Sequence, residues 1–206
     1  LATDLGLLVK ATSAEMLLAD HRMVVEGPGA VQEASAFLAE RGRLLQLPMF
    51  VINGQLFRTT ARAVAGDRAA VAADLDGLPS ESELLPEFRA QVEMLWAIVA
   101  AVDHDLRATV RHLNAGVEPL LDHGSVPPLH PFGFWVLIRT VLGDRDEAAR
   151  SKLRQSGVSQ RRANAGALHY ADAVAAGRQG DRAGAEQAYA MGEEALSPVP
   201  WWHRFL

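Results

Sequence analysis

Hydrophobic residues recur along most of the chain at spacings of three and four, the pattern of a helix that buries one face. No run of four residues keeps the strict apolar-polar alternation that a half-buried strand would show. Residues 132–138 form an almost continuous apolar run that is compatible with a buried strand, but we favour a helix there. The pattern therefore predicts an all-α fold.

Turns punctuate this pattern at regular intervals. The tripeptide Gly-Asp-Arg occurs at 66–68, 143–145 and 180–182, so its aspartates are 77 and then 37 residues apart, one interval being about twice the other. A degenerate copy at Asp105 and a further turn at Gly29 complete a series of five turns with a period of 37–39 residues. This period lies between the about 34 residues of tetratricopeptide repeats and the about 40–47 residues of HEAT repeats.

Each period divides into a leading and a trailing helix. We predict leading helices at 13–26, 48–65, 86–103, 130–142 and 164–178, and trailing helices at 30–42, 68–76, 106–121, 146–155 and 182–196. Prolines, whose missing N–H group costs nothing at a helix start, stand at or just before three leading helices, at Pro48, Pro86 and Pro131. Such pairs bury their apolar faces by stacking, so residues 1–206 are predicted to form one helical-repeat domain, an α-solenoid of about five antiparallel helix pairs.

Composition narrows the classes of function. The 206 residues carry a net charge of −5, which argues against a general nucleic-acid surface, and they include no cysteine, which excludes disulfides and thiolate chemistry. The longest apolar run, residues 94–102, is too short to span a bilayer. We therefore expect a cytoplasmic protein with no membrane contact. The start at Leu1, without a methionine, leads us to expect a piece of a longer chain.

The last fifth of the chain, residues 166–206, has a distinctive arrangement of small residues, prolines and tryptophans. Ala185 and Tyr189 occupy the small and large apolar positions of the second helix of a tetratricopeptide repeat, and Pro198 falls where such a repeat ends. The same segment resembles the last helical repeats of large actinobacterial LuxR-type transcriptional regulators. The residues that carry this resemblance are Ala167-Leu168, Ala171-Asp172-Ala173-Val174, Ala176-Gly177-Arg178, Gly180-Asp181, Ala185, Ala195-Leu196, Pro198 and Pro200-Trp201.

The resemblance implies a parent protein with an N-terminal P-loop ATPase, a central helical-repeat sensor and a C-terminal helix-turn-helix, with this chain as part of the sensor. The chain has no G-x-x-x-x-G-K-[ST] motif, since neither Lys10 nor Lys152 follows a glycine. ATP is therefore expected only in a separate domain, with no cofactor in this chain and no direct nucleic-acid contact by this segment. The expected partner is a small-molecule inducer or a protein or peptide, and formation of a homo-oligomer is left open.

Candidate catalytic and metal-binding residues are few. Histidines and carboxylates cluster in residues 103–130, but no E-x-x-H pair places two ligands on one helix face, so we favour solvated or capping roles over a metal site. The cluster contains His104, His112, His123, His130, Asp103, Asp105, Glu118 and Asp122. No G-x-S-x-G elbow is present, and the Glu193-Glu194 pair is predicted to be surface charge. We therefore expect no catalytic and no metal-binding residue, and predict that the chain is not an enzyme.

A concave groove remains as a predicted binding site, because leading helices usually line the inner side of a helical solenoid. An aromatic ring with a nearby arginine could hold a sugar, a peptide or an anion there, although the tryptophans are also interpretable as core residues. The candidate groove residues are Asn53, Gln55, Arg58, Arg89, Trp96, Trp135, Arg139, His169 and Tyr170.

Three interpretations of function are open. The favoured one is a sensor and interaction segment of a LuxR-type regulator, which binds an inducer or partner and biases domains outside this chain. The second is a free-standing tetratricopeptide-like scaffold for peptides, and the third is an all-α enzyme that uses the cluster at 103–130. A helix-turn-helix encoded beyond residue 206 would support the first, a stop codon there the second, and stoichiometric Zn or Fe the third.

Overall fold

Two compact units, Leu1–Glu83 and Leu84–Leu206, make up the chain in the computed structural model. The structure describes residues 2–80, 83–122, 132–143, 150–151, 154–155, 157 and 161–206. Every regular element in these residues is helical, so the predicted all-α, helical-repeat class is confirmed there. The assignment of residues 1–206 to a single domain stays a prediction. No helix in the described part of the chain combines the length and the apolar character needed to cross a membrane.

In its described residues, unit 1 consists of α1 (Ala2–Val25), a 3₁₀ segment (Pro28–Val31), α2 (Gln32–Leu45), α3 (Pro48–Val64) and α4 (Arg68–Asp76). Helices α2 and α3 approach closely because Gly54 has no side chain, and a Cβ atom there would lie 2.5 Å from the Ser35 carbonyl oxygen. The core of the unit includes the buried side chains of Val31, Leu38, Phe50, Leu56 and Val71.

The predicted boundaries in unit 1 hold best after residue 47. The helices predicted at 48–65 and 68–76 are observed as α3 and α4, with Pro48 in the first turn of α3. Helix α1 begins at Ala2 instead of residue 13. The turn predicted at Gly29 is wrong, because the chain turns at Gly27, where φ is 94°, and Gly29 lies inside the 3₁₀ segment.

In its described residues, unit 2 consists of α5 (Pro86–Val102), α6 (Leu106–Asp122), α7 (Phe132–Val141), α8 (Arg162–Arg178), α9 (Arg182–Leu196) and α10 (Pro200–Phe205). Helix α5 packs along α6, and α8 packs along both α9 and α7. The apolar run 132–138 is helical, so the strand alternative is wrong. The predicted anchor Asp144, Pro131 and most of the trailing helix predicted at 146–155 lie outside the described residues.

In the turn between α8 and α9, the repeated Gly-Asp-Arg tripeptide ends one helix and begins the next. Gly180 has a φ of 79°, a left-handed conformation in which glycine carries no Cβ penalty. Its amide donates to the Gly177 carbonyl at 3.1 Å, and the Asp181 amide donates to the Ala176 carbonyl at 3.0 Å, which closes the end of α8. The Asp181 carboxylate then accepts from the Gly184 amide at 2.9 Å and caps the start of α9.

Two other turns repeat this arrangement. Gly66 and Asp67 separate α3 from α4, and His104 and Asp105 separate α5 from α6, with φ angles of 74° at Gly66 and 60° at His104. The aspartates cap the following helices through the amides of Ala70, at 3.0 Å, and Ala108, at 2.9 Å. Asp105 is therefore confirmed as the degenerate copy of the anchor, with a histidine in the position that elsewhere holds glycine.

An ion-pair cluster around a buried carboxylate attaches α4 to α3. Asp74 is 7% exposed, and its carboxylate contacts the Arg58 Nη2 and Arg62 Nη1 atoms, each at 2.8 Å. The Thr59 hydroxyl donates to the same carboxylate at 3.1 Å. Because α4 is only nine residues long, these contacts supply much of what fixes its position on α3.

We expect a glycine-to-alanine substitution to change the free energy of unfolding in opposite directions at Gly180, in the turn after α8, and at Gly177, within α8. Gly180→Ala should lower the free energy of unfolding by about 1 kcal/mol, because alanine is strained at positive φ. Gly177→Ala should raise it by about 0.5 kcal/mol, because Gly177 is exposed, helical and has open space around it. Urea denaturation followed by circular dichroism measures both, and a neutral or stabilising Gly180→Ala would contradict the role of the turn.

We expect Asp74→Asn to lower the free energy of unfolding of unit 1 by about 2 kcal/mol, because it removes the charge that two arginines contact in a buried position. Asp76→Asn is the matched control, since Asp76 lies on the same helix and is exposed. Urea denaturation of both variants measures the difference. Equal effects of the two substitutions would show that the buried cluster does not stabilise α4.

Candidate functional site

A cavity of about 710 Å³ lies within unit 2, with residues of α5 to α10 in its walls. We call it the C-terminal cavity. Its apolar wall is formed chiefly by Phe134, Leu137, Ile138 and Val141 of α7, with Val174 of α8 and Phe205 of α10. Its polar side chains are Tyr170, Tyr189, Glu193, His203 and Arg204. A predominantly apolar concave surface with a few convergent polar groups is typical of small-molecule sites.

Four of the polar side chains form one hydrogen-bonded group, the Glu193 cluster, which consists of Tyr170, Tyr189, Glu193 and His203. The Tyr170 hydroxyl donates to the Oε1 atom of Glu193, and the Nε2 atom of His203 lies 3.0 Å from the same oxygen. The rings of Tyr170 and Tyr189 stack with centroids 5.4 Å apart and an interplanar angle of 21°. The cluster therefore joins α8, α9 and α10 at the cavity wall.

Hydrogen bonding moves the pKa values within the cluster in opposite directions. The pKa of Glu193 is lowered, first by the hydrogen bond from Tyr170 and then by that from His203. The pKa of Tyr170 is raised by burial and by its hydrogen bond to Glu193. The pKa of Tyr189 is raised by its hydrogen bond to Glu193. The cavity wall therefore carries an ionised carboxylate beside two neutral phenols at neutral pH.

Glycines in α8 and α9 make room for the cluster. A Cβ atom at Gly192 would lie 2.6 Å from the ring of Tyr170, and one at Gly166 would lie 2.3 Å from Leu196 Cγ. A larger residue at either position would therefore force the Tyr170 ring or the Leu196 side chain to move. The small residues that make α8 and α9 pack closely thus also let the Tyr170 ring lie beside α9 and reach Glu193.

Helix α10 supplies the last wall of the cavity. It begins with Pro200 in the first turn, and Trp202 is buried. The Phe205 ring packs on Phe134 of α7 with centroids 5.4 Å apart and is stacked on Trp201 at 5.3 Å. Aromatic packing and the contact between His203 and Glu193 therefore hold α10 to the rest of unit 2.

Residues of the C-terminal sequence motif have structural roles in this site. The Arg178 guanidinium donates to the carbonyl oxygens of Thr140 and, at 2.7 Å, Val141, so it closes the C-terminal end of α7. Asp172 on α8 pairs with Arg150 and Arg154. The motif thus fixes α7 and α8, two of the helices that form the cavity wall.

Of the predicted groove residues in unit 2, one lines the C-terminal cavity and the others do not. Tyr170 lines the C-terminal cavity. Trp135 is wrong as a groove residue, because it is 1% exposed and its Nε1 atom donates to Asn114 Oδ1 at 2.6 Å. The Arg139 guanidinium covers the Trp135 ring at 4.8 Å from its centroid, so it packs on the core. Two others, Trp96 and His169, are half-buried, and Arg89 is exposed; none of the three lines the cavity.

The predicted residues of unit 1 lie near a different cavity. Asn53 is wrong as a groove residue, because it is buried and donates to the Met49 carbonyl at 2.9 Å. Arg58 and Gln55 line a cavity of about 520 Å³, the unit 1 cavity, together with Arg43 and Arg62. Arg58 is half-exposed there while it pairs with Asp74.

The sequence interpretation missed the carboxylate of the site. Glu193 was predicted as surface charge with Glu194, and its side chain is 38% exposed, but it lines the C-terminal cavity whereas Glu194 does not. A usable signal was present, because Tyr189 and Glu193 are four residues apart and therefore share a helix face. The contributions of His203 and Phe205 could not be read from spacing, since they depend on where α10 packs.

The histidine and carboxylate cluster of residues 103–130 is dispersed in the described structure. His112 pairs through Nδ1 with Glu93 at 2.8 Å, and Asp105 caps a helix. Within the described ranges, no three His, Asp or Glu side chains converge as metal ligands would. His123, His130 and the Asp122 side chain lie outside the described part of the structure.

Comparison of the chain with protein-family models, with curated proteins and with solved structures finds no match. The geometry of the cavities and the C-terminal sequence motif are therefore the observations from which a function has to be inferred.

We expect the two tyrosines to titrate above their ordinary pKa of 10.0 in the folded chain and at about that value in urea. Because the folded pKa of Tyr170 lies above the unfolded one, its contribution to stability is complete below pH 10 and is lost as the pH rises beyond it. Ultraviolet absorbance of tyrosinate measures the titration directly, since the chain has two tyrosines.

Glu193→Gln should lower the tyrosine pKa values toward 10.0, because it removes the carboxylate that stabilises the neutral phenols. Glu194→Gln is the control and should leave the titration unchanged. For Glu193 itself the folded pKa is lowered from 4.5, so its contribution to stability is present above pH 4.5 and is lost as the pH falls. A titration of Tyr170 at its ordinary pKa would contradict the hydrogen bond to Glu193.

Proposed function

We propose that this chain is the ligand-binding helical-repeat segment of a LuxR-type transcriptional regulator, and that a small-molecule inducer binds in the C-terminal cavity. The observation that carries the proposal is the cavity itself, about 710 Å³ in volume, with an apolar wall and one hydrogen-bonded polar group. Ligand sites of small molecules have volumes of about 300–1,000 Å³ and the same mixture of apolar and polar lining.

The electrostatics of the cluster favour binding over catalysis. A general acid or base works best when its pKa lies near the operating pH. Here the pKa of Glu193 is lowered and that of Tyr170 is raised, so both move away from neutrality. Because the protonation states of Glu193 and Tyr170 do not change near neutral pH, the cluster is suited to bind a ligand through a constant charge. We accordingly propose a non-enzymatic role for this chain.

The link to transcription rests on the resemblance of residues 166–206 to the last repeats of such regulators. In this proposal, ATP binding and DNA binding belong to other domains of a longer cytoplasmic protein, and this segment passes the ligand signal to them. The net charge of −5 is consistent with a segment that does not itself contact nucleic acid. The DNA that flanks this coding sequence tests the assignment, and the absence of an encoded helix-turn-helix would contradict it.

A second candidate function, a free-standing scaffold that binds peptides, is favoured by the unit 1 cavity. This cavity has a volume of about 520 Å³ and is lined by small residues of α2 and α3 and by three arginines, Arg43, Arg58 and Arg62. Arginine pairs well with carboxylates, and because Arg58 and Arg62 already pair with Asp74, Arg43 is the arginine proposed to bind an acidic peptide. Binding of acidic peptides with loss of affinity in Arg43→Ala, together with no ligand for the C-terminal cavity, would favour this alternative.

We expect a thermal-shift screen of small molecules to find ligands that raise the melting temperature of the 206-residue chain, because a ligand of the folded state stabilises it. Ala173→Phe should abolish these shifts by filling the cavity, since Ala173 is one of its lining residues. Ala183→Phe is the control, since Ala183 is exposed on α9 and lies outside the lining. Shifts that persist unchanged in Ala173→Phe would place the ligand elsewhere and contradict the proposal.

A further inference from the structure

We propose that the C-terminal cavity binds an amphipathic organic cation, whose apolar body lies against α7 and whose protonated amine lies at Glu193. This inference rests on the proposed function, since it assigns a chemical class to the ligand of the same cavity. Four features of the cavity carry it: the state of the Glu193 carboxylate, the stacked tyrosine rings, the apolar side chains of its wall and the position of Arg204.

The Glu193 carboxylate is prepared for a positively charged group. Tyr170 and His203 donate to its Oε1 atom, and these hydrogen bonds lower its pKa, so it remains ionised at neutral pH. A carboxylate offers about four acceptor positions, of which these two side chains fill about two. An ammonium group brings three donors and a full charge, so it can take an open position and compensate the negative charge at the same time.

The tyrosine rings add a second attraction for a cation. Tyr170 and Tyr189 stack at 5.4 Å, and both rings line the cavity. Aromatic faces carry negative electrostatic potential and attract ammonium groups that lie within about 6 Å of the ring centroid. Because Tyr189 and Glu193 are four residues apart on α9, one ammonium can contact a ring face and the carboxylate together.

The apolar wall of the cavity determines the chemistry of the rest of the ligand. Leu137, Ile138 and Val141 on α7 face the cavity together with the Phe134 and Phe205 rings. Burial of an aryl or alkyl group against these side chains removes apolar surface from water, which supplies most of the affinity of a small ligand. A purely polar cation would leave this wall exposed, so the fitting molecule is an amine with an apolar body.

Arg204 is a cationic side chain of the lining that could instead favour an anion. It is exposed, and its Nε atom donates to the Pro200 carbonyl at 3.4 Å, within its own helix. An anionic ligand that reached Arg204 would share the cavity with the ionised Glu193 and be repelled by it. We therefore favour the cation and treat the anion as an outcome that the experiment can reveal.

The test compares three probes with one common body, namely 4-phenylbutylamine, 4-phenylbutan-1-ol and 4-phenylbutanoate. Isothermal titration with the 206-residue chain at neutral pH measures their affinities. We expect the amine to bind at least about tenfold more tightly than the alcohol and the carboxylate, because it alone forms a charge-assisted hydrogen bond to Glu193. Glu193→Gln should remove this preference, and Glu194→Gln, which changes an exposed neighbour, should retain it.

Circular dichroism establishes that each variant folds. If Glu193→Gln does not fold, Glu193→Asp replaces it, because the shorter side chain keeps the charge and withdraws it from the ligand. That variant should weaken binding of the amine more than binding of the alcohol.

Several results would overturn the proposal. The carboxylate could bind most tightly, or the preference for the amine could survive Glu193→Gln. Either result would exclude the cation site and leave the proposed small-molecule cavity intact, with Arg204 as the next group to test. If none of the three probes binds and a broad screen also finds no ligand, both the ligand class and the proposed function fail.

Discussion

A residue in the left-handed conformation followed by a capping aspartate is the constraint on which three helix pairs of this protein depend, namely α3 with α4, α5 with α6 and α8 with α9. At each of these turns, backbone hydrogen bonds from the two residues close the end of the first helix, and the aspartate carboxylate caps the start of the second. Two residues are therefore enough to reverse the direction of the chain. His104 occupies the left-handed position in one turn, which shows that the aspartate cap and the backbone pattern are retained where glycine is not. Because the turn is so short, the two helices it joins must pack against each other.

Close packing then decides where a cavity can form. Glycines bring α8 and α9 together at Gly166 and Gly192, where a larger residue would force the Leu196 side chain or the Tyr170 ring to move. Near the middle of both helices the facing residues are Tyr170 and Tyr189, whose rings stack at the edge of the C-terminal cavity. The cavity therefore lies where two tyrosines replace the small residues that hold α8 and α9 close together.

The sequence predicted the elements better than the site, and the reason is physical. Helix boundaries depend on local features, namely prolines, capping aspartates and apolar spacing, and 68–76 and 182–196 were predicted to the residue. Gly29 was wrong because no capping side chain marks that turn, and the bend falls at Gly27. Site residues depend on contacts between helices that are distant in sequence. Such contacts placed Trp135 in the core and Glu193 in the cavity, which helical spacing alone does not determine.

Two pairs, each of one aromatic and one charged side chain, differ in whether they can bind a ligand. Trp135 and Arg139 combine a ring and a cation, as a binding site would, but the ring is buried and its indole N–H is satisfied by Asn114. Tyr170 and Glu193 are also satisfied by each other, yet both line open space, and Glu193 shares one oxygen atom between Tyr170 and His203. Tyr170 is held by burial on α8 and His203 reaches the same oxygen from α10, so a ligand donor is left the other acceptor positions of the carboxylate. What distinguishes this pair from Trp135 and Arg139 is therefore open space beside a carboxylate that still has acceptor positions to offer.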